Sequence, residues 1–147
     1  ITPHRLDFYM IFLVTSGEGI HTFGQNEHYI RKNMLCFVGP YVISSWQAET
    51  NDQQGYFCTF SEDFIHATTA NKYFLQELPF FQVGGNSVLH LTDEQTSYYL
   101  SIFSQMQAEF ENRNQYSTPL LQTKTLECTC VAPNHAGLRL LKTFTAL

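Results

Sequence analysis

Short apolar runs separated by turn residues fill positions 8–60 of the chain. Phe8 to Val14 (FYMIFLV) is apolar throughout, rich in aromatic and β-branched side chains and too short for an ordinary helix. Such a strand must be covered on both faces, either as a central strand or by a partner. TSGEG (15–19) then turns the chain. Ile20–Phe23 and Glu27–Ile30 predict a hairpin across GQN, followed by a polar turn at Arg31–Asn33. Met34–Val38 reads as a buried strand and Gly39-Pro40 as a turn. Val42–Trp46 runs back, AETNDQQG (48–55) is a polar loop, and Tyr56–Phe60 is a further strand. Six or seven strands at this spacing predict a small closed barrel or a sandwich.

After residue 60 the period changes. SEDF opens a short helical segment with Ser61 as N-cap and acids in its first turn. NKYFLQELPFF (71–81) predicts another short helical turn, stopped before Pro79. Ser87–Leu91 reads as one last strand. Thr92-Asp-Glu-Gln95 has the form of a capping box and launches a helix over about 93–113. Tyr99, Phe103, Met106 and Phe110 recur along it as one apolar stripe. A further helix starts near Thr118 with Pro119 at its first position, breaks near Pro133, and gives way to an apolar pattern that runs to Leu147. The sequence is read as one domain over 1–147, with an N-terminal arm and barrel over about 1–91 and a helical part over about 92–147. Its start at Ile1 and its uncapped apolar end suggest a piece of a longer protein that continues C-terminally.

Composition narrows the function. Hydrophobic residues make up 44% of the 147 and charged residues only 14%, against roughly 25% charged in an average domain. Aromatics reach 15%, which calls for a large aromatic core, a partner interface or an aromatic-lined cavity. The net charge is -5 with only eight Lys and Arg, so this chain lacks the basic face that phosphate neutralisation needs. Cys36 and Cys58 lie in apolar strand-like runs, and Cys128 and Cys130 form a Cys-x-Cys with no matching pair, so neither a disulfide framework nor a zinc site is expected. With no signal peptide and no apolar run long enough to span a bilayer, the expected compartment is the cytoplasm, with no membrane partner.

RLDFYMIFLVTSGEGIHTF, then YIRKNMLCFVGPYVISSW, then GYFCTFSEDF together resemble the N-terminal sensor domain of AraC-type transcriptional regulators. The resemblance covers about residues 4–65, with the helix near 93–113 and the following helix also consistent with it, and 117–135 matching poorly. It implies a mainly β fold with α, a cupin-like (jelly-roll) β-barrel followed by C-terminal helices. A small-molecule effector would bind in the barrel, and the helices would form a homodimer interface. Nucleic acid would be bound only through a helix-turn-helix domain absent from this chain. In the cupin metal motif His21 stands at the first histidine position, Phe23 at the second, Glu27 near the carboxylate and Ser44 where the second motif's histidine belongs. Asn33 and Tyr41 replace that motif's usual glycines. One imidazole and one turn carboxylate cannot hold a transition metal against water, so no metal or other cofactor is expected.

The barrel interior is then the candidate ligand pocket. Period-two alternation puts either Phe12 and Val14 or Ile11 and Leu13 on its inner face, and both options stay open. His21 and Phe23 share a face, as do Leu35 and Phe37, and Tyr56, Cys58 and Phe60, while Trp46 sits at a strand end near the expected mouth. The ligand-pocket candidates are Arg5, Phe12, Val14, His21, Phe23, Phe37, Trp46, Tyr56 and Cys58. In the family the arm can close over ligand, which makes His4 and Arg5 candidates for contact with a carboxylate or hydroxyl. Against each stands a plainer role: His21 in the core or at the rim, Trp46 as packing, Arg5 in a surface salt bridge. The stripe Tyr99, Phe103, Met106, Phe110 is either intramolecular core or half of a dimer interface; Tyr98, Leu100 and Ile102 widen the apolar surface and favour the dimer.

No nucleophile elbow, zinc-protease motif or phosphate loop appears in the sequence. The reading taken is therefore a non-enzymatic sensing and dimerisation domain. Its alternatives are a metal-free cupin isomerase or epimerase, with His21 and Tyr56 as acid and base across the pocket, and a dimerisation module whose barrel is filled by its own side chains.

Overall fold

A computed structural model of the chain describes residues 4–5, 8–66, 77–78, 81 and 87–130. The expected helical turn over 71–81 falls almost wholly outside these residues, as do the break near Pro133 and the pattern beyond it. The fold divides into two compact units, one built of the strands and one of the helices after Leu91 together with 63–71.

The strand unit contains β1 (His4–Arg5), β2 (Tyr9–Ser16), β3 (Gly19–Phe23), β4 (Asn26–Ile30), β5 (Met34–Val38), β6 (Ile43–Ala48), β7 (Gln54–Phe60) and β8 (Val88–His90). These form two antiparallel four-stranded sheets, ordered β1-β6-β3-β4 and β7-β2-β5-β8. The elements follow the sequence pattern closely. The all-apolar β2 and β5 are the two central strands of the second sheet, where both faces are covered, and all five residues of β5 are buried. The polar β4, with only Ile30 buried, is an edge strand of the first sheet. Among the described residues no ladder joins the two sheets. The described strands thus form two antiparallel sheets followed by helices, the cupin-like fold expected, with a sandwich rather than a closed ladder among the described residues.

Asn33 and Tyr41, the two residues standing where the cupin motif usually has glycine, are the two non-glycine residues with positive φ, 69° and 66°. This left-handed geometry costs about 1–2 kcal/mol at each, less for Asn.

In the second unit α2 (Asp93–Glu111) starts on the predicted capping box. The Thr92 hydroxyl accepts from the Gln95 N–H at 3.1 Å, and the Gln95 side-chain oxygen accepts from the Thr92 N–H at 2.9 Å. α3 (Ser117–Cys130) folds back along α2, and the Tyr99 hydroxyl donates to the Cys128 carbonyl at 3.2 Å. Gln122 donates to the carbonyl of Phe64 at 2.7 Å, tying α3 to the short helix α1 (Glu62–His66). Tyr99, Ile102, Phe103 and Met106 are buried. Of the two readings of this stripe, core or dimer surface, burial within the chain favours core for Tyr99, Phe103 and Met106, and of the four only Phe110 is exposed, at 57%. The apolar side chains left outward here are Tyr98, Phe110, Tyr116 and Leu120.

Candidate functional site

The inner face of the second sheet is settled by packing. Phe12 and Val14 point between the sheets. Ile11 and Leu13, equally apolar, lie on the opposite face with Leu35 and Phe37 and are fully buried there. Phe37 packs edge-on against Phe81 at 5.6 Å, and Phe81 in turn against Tyr9 at 4.9 Å. Between the sheets, Val14, Ile30, Met34, Cys36 and Val88 form a solid cluster with Phe12 and Trp46 against it. Phe12 and Trp46 also line an open cavity of about 580 Å³. Its walls come from Met10, Phe12 and Val14 of β2, His21 of β3, Ser44, Ser45 and Trp46 of β6, and Gln53, Gln54, Tyr56 and Phe57 at the start of β7. The small residues Ser44 and Gly55, which face inward, leave this volume unfilled.

His21 sits in an aromatic box. Its ring lies 5.1 Å from Phe12, edge to face, 5.1 Å from Phe23 and 6.4 Å from Trp46. It is 3% exposed, and its Nδ1 is sealed without a hydrogen-bond partner. Burial, with the neighbouring His28 adding to it, pulls its pKa down to about 4, so the ring is neutral at pH 7.

Trp46 is held from its polar end. Its indole N–H donates to Gln53 Oε1 at 2.8 Å, and Gln53 Nε2 donates to the Glu18 carbonyl at 2.9 Å. The Thr50 hydroxyl accepts from the Glu18 N–H at 3.0 Å, and the Ser16 hydroxyl donates to the Asp52 carbonyl at 2.9 Å. The loop before β7 is thus fastened to the β2–β3 turn, leaving the indole ring as cavity wall. Gly19 is required beneath it, because a Cβ there would collide with the indole.

A cupin metal does not fit these residues. Glu27 pairs with Thr22, one position off the His21–His28 pair, and so stands exposed on the other face from His21. Ser44 offers no imidazole where the second motif would need one. Among the described residues no three His, Cys, Asp or Glu side chains are placed to hold a metal ion. Among the described residues the lining includes no Lys, Arg, Asp or Glu.

The AraC-like ligand binding domain family matches residues 1–124. The chain belongs to that family. Two solved structures share the fold of this AraC-like domain. The AraC-like transcriptional activator CuxR is 10% identical with a TM-score of 0.51, over 88% of this chain and 45% of its own. Apo ToxT K231A from Vibrio cholerae strain SCE256 is 14% identical with a TM-score of 0.51, over 98% of this chain and 51% of its own. This chain therefore spans about half the length of either. None of the curated proteins matches it in sequence.

Of the pocket residues expected from sequence, Phe12, Val14, His21 and Trp46 line the cavity, and Tyr56 borders it but shares the register of Leu13, on the other face of the sheet from Phe12. Phe23 reaches it only indirectly, by stacking on His21 and on His28. Phe37 and Cys58 are corrections: in register with Ile11 they lie on the opposite face of the sheet, where Phe37 is core. In β1, His4 pairs with the cavity-lining Ser44 and Arg5 with Ile43; the Arg5 side chain lies outside the described residues. Sequence reading missed Met10, Ser45, Gln53 and Phe57. Met10 and Phe57 follow from the register that puts Phe12 inward. Gln53 sits in a stretch whose composition reads as solvated loop and carries no such signal.

Proposed function

We propose that this domain is the effector-sensing part of an AraC-type transcription regulator, with a small molecule bound in the cavity between the sheets. DNA binding would belong to a separate helix-turn-helix domain, in keeping with the chain's own net charge of -5. The observation that carries the reading is an open cavity walled by aromatics in a member of a ligand-binding family. A cavity of about 580 Å³ also argues against the dimerisation-only alternative, in which side chains would fill that space. The enzyme alternative loses its acid–base pair: by strand register Tyr56 belongs with Leu13, on the face away from His21's neighbour Phe12.

Switching requires the effector to bind two arrangements of the regulator with different affinity. Trp46 is the part of the wall best placed to report occupancy, because Gln53 links its indole to the β2–β3 turn. A homodimer in the cytoplasm is the expected working form, using the outward Phe110, Tyr116 and Leu120 rather than the buried stripe. Among the described residues no helix is long and apolar enough to cross a membrane.

Native mass spectrometry of the purified chain tests this. A dimer, alone or carrying a small organic adduct and no stoichiometric metal, is the expected result. A monomer with one metal ion per chain would overturn it.

A further inference from the structure

The Trp46 indole rests on main chain at Gly19, where a Cβ would collide with its Cζ2 and Cε2. Phe12 meets the ring edge to face at 6.2 Å, and His21 stands 6.4 Å away. The second torsion of a Trp side chain is broad, so a ring seated on a glycine needs another hold to keep one orientation. Gln53 provides it. An indole N–H only donates, so the Gln53 amide must present its oxygen there, at 2.8 Å. Its nitrogen then faces two carbonyls, donating to Glu18 at 2.9 Å and to Thr50 at 3.4 Å. Reversing the amide would set N–H against N–H and oxygen against both carbonyls. With both its hydrogens used, the amide nitrogen has none left for a ligand in the cavity it borders. The far anchor is firm. The Glu18 N–H donates to Thr50 Oγ1 at 3.0 Å, and the Glu18 carbonyl also accepts from the Glu49 N–H at 3.0 Å. The β2–β3 turn is shaped to receive both partners: a side chain at Gly17 would crowd the Gln53 Cα, as one at Gly19 would the indole.

We propose that Gln53 is a positioning residue for effector binding: it braces the Trp46 indole against the β2–β3 turn and so holds that part of the cavity wall in place before a ligand arrives. This rests on the effector-binding reading and assigns to that site a residue that acts through Trp46. A ring held in advance spares the effector the cost of ordering it. Gln53 is itself exposed, in a polar loop, so its substitution removes the brace without opening the core.

The chain contains a single tryptophan, so one indole N–H resonance and its exchange with solvent report on the brace. Toluene serves as the probe, because it forms no hydrogen bond with Gln53 and any loss of affinity must pass through the wall. Titrated into the ¹⁵N-labelled chain, toluene should shift the indole resonance. Gln53→Leu should move that resonance, speed its exchange and weaken toluene about fivefold, the effect of one exposed hydrogen bond. Gln53→Glu keeps an acceptor for the indole but sets oxygen against the Glu18 and Thr50 carbonyls, and should weaken toluene as well. Thr50→Val cuts another bond between the same loop and Glu18 without touching Trp46, and should leave toluene affinity unchanged. Unchanged affinity in Gln53→Leu, or an equal loss in Thr50→Val, would overturn the positioning role and leave the effector site standing. No movement of the indole with toluene in the unaltered chain would overturn the effector site, and the exchange rate in Gln53→Leu would still decide whether Gln53 holds the ring.

Discussion

The two ends of the sandwich interior are built from the same strands and the same alternation, yet one is solid and the other hollow. At the solid end Val14, Ile30, Met34, Cys36 and Val88 meet across the gap between the sheets. At the hollow end the inward positions include Ser44 and Gly55, with rings around the edge. Strand period decides which side chains point inward; their size decides whether they meet. Phe12 and Trp46 form the partition between the two ends. They give the cavity a firm apolar wall backed by close-packed core, the arrangement a pre-formed small-molecule site needs.

Mutations separate the two ends. The largest effect is expected from Ile30→Ala at the solid end, where a fully buried side chain leaves a hole: urea unfolding should show a loss of about 2–5 kcal/mol.

His21 should make stability depend on pH. Its pKa falls from 6.5 in the unfolded chain to about 4 in the fold, so the unfolded state takes up a proton first as pH drops. The contribution is complete above pH 6.5 and is lost progressively between about 6.5 and 4, to the extent of roughly 3 kcal/mol. In His21→Phe that part of the acid sensitivity should vanish from unfolding curves taken across this window, and its persistence would place the buried titrating group elsewhere.

The same enlargement on either side of the partition gives the smallest but sharpest contrast. Cys36→Leu at the solid end should cost about 1–3 kcal/mol by overpacking. Ser44→Leu at the hollow end should change stability by less than about 1 kcal/mol, because the added carbons enter space already present. Equal costs in thermal unfolding would mean that the cavity is not open in solution.

Much of this was legible because it is local. The hairpin around Gly24, the turn at Arg31–Asn33, the buried run Met34–Val38 and the capping box at Thr92 depend on a few neighbouring residues, and each appears close to where its residues put it. The candidate site was only half legible. Phe12, Val14, His21 and Trp46 were named from alternation and resemblance, whereas Phe37 and Cys58 were misplaced and Gln53 was overlooked.

Where most strands, turns and helix starts fall could be read from neighbouring residues alone, as could the single imidazole at His21 where a cupin metal set would need three. Those conclusions rest on backbone preferences and side-chain chemistry acting over a few residues. Only the tertiary structure decided which face of β2 looks inward, because Ile11 and Phe12 are alike in hydrophobicity and differ only in what lies opposite them. It also decided that Tyr99, Phe103 and Met106 are internal, because an apolar stripe reads the same whether its partner is α3 or another chain. The cavity belongs to the same class of fact. It exists because Ser44 and Gly55, on different sheets, are brought to one end of the interior, and volume is set by what meets across a gap.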